Sequence, residues 1–254
     1  MTRHVAHRNR ALIRFVCVVL LGGAASCETY ERPGKPDESK RSVAKAGSAK
    51  ADGDPGLSGD KLNIDYDAVK AEGEKLYAVT CIGCHGPSGE GMVGIGPKLA
   101  SATFLAAASD EMLVNTITSG RPGTTMAPWG ATMQTKQVHA LVGYLRSLAP
   151  HEPAALNESP LSGDVTRGQD VYARICSTCH GKHGAGYQES SSGTGIGRKA
   201  FLDTVSDGFM RHIIKNGKSG TKMRAFEEKA PTAVANLNDQ EIEDVIAYLR
   251  SKAW

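Results

Sequence analysis

The chain lacks an uninterrupted apolar run of the ~20 residues that a membrane-spanning helix needs; the apolar stretch 15–21 is short and follows Arg14. It also lacks a charge excess once its start is set aside. Residues 1–26 carry Arg3, Arg8, Arg10 and Arg14 and no acid, so the remaining 26 Lys and Arg face 27 Asp and Glu. No basic stripe is left for nucleic acid, and that class of partner is excluded. Residues 28–60 have almost no large apolar side chains among Pro33, Pro36, Pro55 and charges of both signs. Such a stretch cannot bury enough surface to offset its ordering entropy, so it reads as a disordered tether. Cysteine is scarce too. Of six, Cys17 and Cys27 lie near the start and the other four form two close pairs, which leaves no disulfide framework.

What is present is a pentad that occurs twice: Cys81-Ile82-Gly83-Cys84-His85 and Cys176-Ser177-Thr178-Cys179-His180. C-x-x-C-H is the haem c attachment pattern, in which two thiols bond the vinyl groups of one haem and the adjacent histidine lies under the iron. The bland alternatives are a zinc site or a redox dithiol. Zinc needs four ligands, and neither copy has a second thiol pair in its own half. A thioredoxin-like dithiol needs a βαβ pattern around it, and none is visible. Two pentads therefore predict two covalent haem groups.

The pentads belong to an internal repeat. Gly73 and Tyr77, then Gly168 and Tyr172, stand eight and four residues before the first cysteine of each pentad. They share a helical face, with the small residue placed to let another helix cross. That second helix closes each copy. Val138, Leu141, Val142 and Leu145 have the i, i+3, i+4, i+7 spacing, and Ile242, Val245, Ile246 and Leu249 repeat it 104 residues later. Both closing helices end in Tyr-Leu-Arg-Ser. Asn238 with Glu241 predicts a capping box for the second, and Thr135 is the expected cap of the first. A shorter helix is expected over 110–119 and again over 207–216. After it, Ser119 to Met126 aligns without gaps on Asn216 to Met223, which delivers one methionine to the same place in each copy. At roughly 85–90 residues each copy is marginal for an apolar core of its own, and a covalent haem supplies the missing centre.

These motifs, in this order, resemble the class I cytochromes c, and in particular their two-domain dihaem members, over about residues 62–253. The resemblance implies an all-α fold of two tandem cytochrome c domains, each wrapped around one haem. It implies His85 and His180 as proximal ligands and Met126 and Met223 as distal ones. Met126-Ala127-Pro128-Trp129 is similar to the family's methionine loop; Met223-Arg224-Ala225-Phe226 departs from it by lacking the proline. Gly94-Ile95-Gly96-Pro97 resembles the loop whose proline carbonyl accepts the proximal histidine's Nδ1–H. Its expected counterpart, Gly195-Ile196-Gly197-Arg198, has no proline. Trp129 and Phe226 are expected beside the haem edge. A methionine is more often core filler than ligand, which is the reading for Met92, Met112, Met133 and Met210. Bis-histidine ligation through His139, His183 or His212 is the competing arrangement.

The expected organisation is a signal peptide at 1–26, a lipid-anchored tether at 27–60, haem domains at 61–149 and 164–254, and a linker at 150–163. Ala24-Ala25-Ser26-Cys27 is similar to a lipoprotein lipobox, which makes Cys27 the candidate lipid attachment site; ordinary signal cleavage, leaving a soluble periplasmic protein, is the alternative. The functional expectation is an exported carrier of single electrons on the periplasmic side of a bacterial membrane. Its partners are then electron donor and acceptor proteins such as a dehydrogenase or terminal oxidase. The alternatives are the cytochrome subunit of a dehydrogenase or respiratory complex, and a dihaem peroxidase.

Overall fold

Two glycines decide how each half is built. A Cβ on Gly73 would come within 1.9 Å of Ala140 O, and one on Gly168 within 1.9 Å of Asp244 O. No other residue lets the first helix of each half lie so close against the last. The computed structural model describes residues 65–190, 192–230 and 235–253. The expected signal peptide, Cys27 and the tether lie outside them.

In the first half α1 (Tyr66–Thr80) runs into the one-turn α2 (Ile82–His85), followed by α3 (Ala102–Ala107), α4 (Asp110–Ser119) and α5 (Thr135–Ser147). The second half repeats the order. Its α6 (Val165–Val171) continues as a π-helical turn (Tyr172–Cys176) into α7 (Ser177–His180), then α8 (Lys199–Leu202), α9 (Asp207–Asn216) and α10 (Asp239–Ser251). The described residues contain helices and isolated bridges only, as the all-α reading requires. Helices α4 and α9 span the expected residues. The Asn238–Glu241 capping box is present, with reciprocal 3.0 Å bonds. The cap of α5 is a correction: Gln134, not Thr135, precedes the helix, and its N–H donates to Gln137 Oε1 at 2.9 Å.

Each half has the same internal ties. α1 packs on α5 and α6 on α10, with Tyr77 against Tyr144 (ring centroids 5.1 Å apart) and Tyr172 against Tyr248 (5.4 Å). Arg146, in α5, binds Asp110 Oδ1 at 2.6 Å and donates to Leu105 O and Ala108 O, both at 2.6 Å. Arg250, in α10, does the same with Asp207, Leu202 O and Val205 O. The repeated arginine of Tyr-Leu-Arg-Ser thus locks the closing helix to the turn between the two preceding helices.

The halves are not separate beads. Helix α3 packs against α9, Phe104 meets Phe209 edge-on at 6.2 Å, and Ser101 Oγ lies 3.0 Å from Ser219 Oγ. The connector also belongs to the packed structure. Ala154 N–H donates to Ala106 O of the first half at 2.8 Å, and Glu158 accepts from Gly208 N–H of the second at 2.9 Å.

One tie exists only in the second half. Asp244 is buried, and burial alone would raise its carboxyl pKa. That is outweighed by hydrogen bonds from Arg167, Asp164 N–H and Gln240, and the value falls to about 2. The folded value lies below the unfolded value of ~3.9, so ionised Asp244 adds stability above about pH 4 that is lost as pH falls toward 2. Asp244→Asn is expected to lower the second half's melting temperature at neutral pH and to flatten its acid dependence. Thermal melts from pH 2 to 7 check this.

Candidate haem sites

The tyrosines that precede the pentads hold their far ends. Tyr77 OH donates to Gly86 O and Tyr172 OH to Gly181 O, both at 2.8 Å. Each histidine ring is then held from below. His85 Nδ1 lies 2.9 Å from Pro97 O, and His180 Nδ1 lies 2.8 Å from Thr194 O, the geometry of a ring N–H donating to a carbonyl. That bond fixes the tautomer and leaves Nε2 free to bind a metal. Burial lowers both histidine pKa values, with the carbonyl bond opposing it. Both shifts favour the neutral ring, the form that binds a metal.

Thr194 corrects the expected register of the second loop. A Cβ on Gly96 would meet Cys84 O at 2.4 Å, and the residue that meets Cys179 O in the same way, at 2.1 Å, is Gly193. Gly193-Thr194 is therefore the counterpart of Gly96-Pro97, and the resemblance of Gly195-Ile196-Gly197 to Gly94-Ile95-Gly96 is misleading. Arg198 precedes α8 where Ser101 precedes α3, as the N-terminal cap residue. The carbonyl survives without the proline ring.

The methionine loops are built alike despite the missing proline of the second. Arg121 N–H donates to Met126 O at 2.9 Å and Lys218 N–H to Met223 O at 2.7 Å. Met126 N–H and Met223 N–H bond Thr124 Oγ1 and Thr221 Oγ1, each at 3.1 Å. Trp129 N–H and Phe226 N–H donate to Ile117 O and Ile214 O, each at 3.0 Å. Gly120 and Gly217, at φ 64° and 71°, turn the chain into these loops, a left-handed conformation that side chains other than glycine's resist.

One apolar cavity collects all of this. It is lined by Cys81, Cys84, His85, Pro97, Met126 and Trp129 of the first half and by Cys176, Cys179, His180, Thr194, Met223 and Phe226 of the second. His139, His183 and His212 do not line it; the exposed His183 pairs instead with Glu189 at 2.6 Å. Met112 and Met210 line the cavity as buried core residues and Met133 packs at the core's edge. Met92 is a correction, since at 40 % exposure it is not core filler. Burial raises the pKa of the Cys81 thiol and pushes that of Cys176 up to about 12, with Cys179 adding to it. The donor set suits haem c: at each pentad two thiols and a neutral, oriented imidazole meet on an apolar wall, with a thioether in the same cavity.

Comparison with known proteins agrees with that geometry. The family model for cytochrome c oxidase, cbb3-type, subunit III matches residues 68–145, and the cytochrome c model matches residues 165–253. The chain belongs to the class I cytochrome c family. It is a dihaem cytochrome with two such domains in tandem and two covalently bound haem c groups. Among curated relatives, it is 28% identical to the cbb3-type cytochrome c oxidase subunit FixP of Azorhizobium caulinodans, over 66% of this cytochrome and 57% of that protein. It is 29% identical to the cbb3-type cytochrome c oxidase subunit CcoP of Rubrivivax gelatinosus, over 71% and 54%. The cytochrome thus spans little more than half the length of these relatives. Among solved structures, a chain of the Kuenenia stuttgartiensis reducing HAO-like protein complex is 20% identical, with a TM-score of 0.48, covering 72% of this chain and 96% of that one.

Proposed function

We propose that this dihaem cytochrome is an electron-transfer subunit of a respiratory complex, passing single electrons through two haems toward a terminal oxidase. The observation that carries the reading is the duplicated site, in which each pentad has its own oriented histidine and its own methionine in one shared cavity. The similarity to oxidase subunits favours the complex over a freely diffusing carrier. In this reading Cys81 and Cys84, then Cys176 and Cys179, hold the two haems within the domains 61–149 and 164–254, joined by 150–163. His85 and Met126 would hold the iron of the first domain, His180 and Met223 that of the second.

The bound haem supplies a one-electron change at iron. The protein does the rest. The Pro97 and Thr194 carbonyls keep the imidazoles aimed and raise their basicity, the methionines would fill the coordination position a substrate would need, and the apolar wall excludes water. Methionine as sixth ligand raises the potential relative to bis-histidine ligation.

Detergent-solubilised membranes test the assignment. Haem c of this chain is expected to co-elute with terminal oxidase activity on size-exclusion chromatography, and elution alone contradicts membership of the complex. The lipid anchor is a separate part of the reading. If Cys27 carries lipid, Cys27→Ser moves the holo-protein from the membrane to the soluble exported fraction whenever no complex retains it. A tether of 33 residues reaches on the order of 30 Å, enough for the dihaem body to dock on a neighbouring complex.

A further inference from the structure

The cavity's charged lining is all of one sign. Lys98, Arg121, Arg198, Lys218 and Lys222 line it, and no aspartate or glutamate does among the described residues. Two of these cations form a reciprocal pair across the seam between the halves. Arg121, in the first half, places its guanidinium 5.2 Å from the ring centroid of Phe201 in the second. Lys218, at the matching position 97 residues later, places Nζ 4.5 Å from the ring centroid of Phe104 in the first. Phe104 and Phe201 are themselves 97 residues apart.

Among the described residues no carboxylate neutralises either cation. Arg121 donates to Ala200 O at 2.9 Å, Thr204 Oγ1 at 2.7 Å and Thr116 Oγ1 at 3.0 Å, all uncharged oxygens. Burial depresses the pKa of Arg121 to about 10. Burial, then the nearby Lys98, depresses that of Lys218 to about 8. Like charges gathered in an apolar cavity are costly unless an anion joins them.

We infer that Arg121 and Lys218 are counter-charges for the haem carboxylates, exchanged between the halves, with Lys218 serving the haem of the first domain and Arg121 that of the second. The exchange follows from position. Lys218 lies over Phe104 of the first half, Ser219 N–H beside it donates to Thr103 Oγ1 at 2.8 Å, and Lys98, the residue after the Pro97 that holds His85, reaches Gly220 of the same loop. Arg121 lies against Ala200 and Phe201 of the second half. Each haem is thereby anchored by both halves, so the seam depends on the haems. Each cation also favours the reduced, less positive iron of the opposite domain.

The inference rests on the dihaem reading, and a redox titration of the full-length holo-protein tests the two separately. Met126→His assigns the first-domain wave. Lys218→Gln is expected to lower that wave by about tenfold in its reduction equilibrium, about 59 mV for one electron, and to leave the other in place. Lys218→Arg, which keeps the charge, should restore it. Arg121→Gln is expected to lower only the second-domain wave. A merely structural seam would lower the melting temperature in both Gln variants without this selectivity. Unmoved waves, both variants moving the same wave, or each variant moving the wave of its own domain would overturn the exchange. If Met126→His moves neither wave, the methionine reading has failed for that haem and Met223→His assigns the waves instead; the exchange stands only if Lys218→Gln lowers the first-domain wave and Arg121→Gln the second-domain wave.

Discussion

Cys176→Ala combined with Cys179→Ala is expected to halve the haem content and unfold the second domain. Phe209, Met210, Ile213, Ile214, Val245 and Leu249 all line the cavity, and without a covalent haem they would face water across it. Burying one such side chain contributes ~1.5–3 kcal/mol, while a whole domain is stable by only ~5–15 kcal/mol. Loss of the shared apolar partner of six side chains therefore exceeds what the domain has in reserve. The first domain should survive with weakened stability, because the Phe104–Phe209 contact and the Ser101–Ser219 bond are lost with its neighbour. Haem-to-protein ratio by alkaline pyridine spectra, together with circular dichroism melts, measures both effects.

Met126→Ala is expected to open one iron of the two. The loop backbone should persist, because its bonds run through Arg121 N–H, Thr124 Oγ1 and Trp129 N–H rather than through the methionine side chain. The variant should lose half of the thioether-to-iron charge-transfer absorption at the red end of the visible spectrum. When reduced, it should bind carbon monoxide at one haem per chain, where the parent binds almost none. Met223→Ala should do the same at the other haem, since its loop has the same bonds. A second haem unchanged by Met223→Ala would point to a different sixth ligand there.

Much of this architecture was legible because it is written twice. Gly73 and Gly168 stand at equal distances from the pentads, and both occupy the tightest helix crossing in their half. The bounds of α4 and α9 follow from capping serines and glycine stops, Ser109 with Gly120 and Ser206 with Gly217. The second histidine loop misled for a physical reason. Glycine-rich loops align in several registers, and the correct one is fixed by which glycine must clear the carbonyl of the second cysteine. That constraint operates across 14 residues at Gly193–Cys179 and leaves no periodic trace. Arg146 and Arg250 were visible as a repeated letter, but their three-way hold on carbonyls and an aspartate exists only once the chain turns back on itself. The seam was not legible at all. Arg121 and Lys218 have no sequence signal for it, because the ring under each belongs to the other half.

In the proposed reading, two fully ligated irons in one protein each carry a single electron. A spectropotentiometric titration of the purified holo-protein, repeated under carbon monoxide, tests it most directly. Two one-electron waves of equal amplitude are expected, at potentials that carbon monoxide leaves in place. Rapid carbon monoxide binding at one haem of the half-reduced protein, accompanied by peroxide consumption, would contradict it and make the protein a peroxidase.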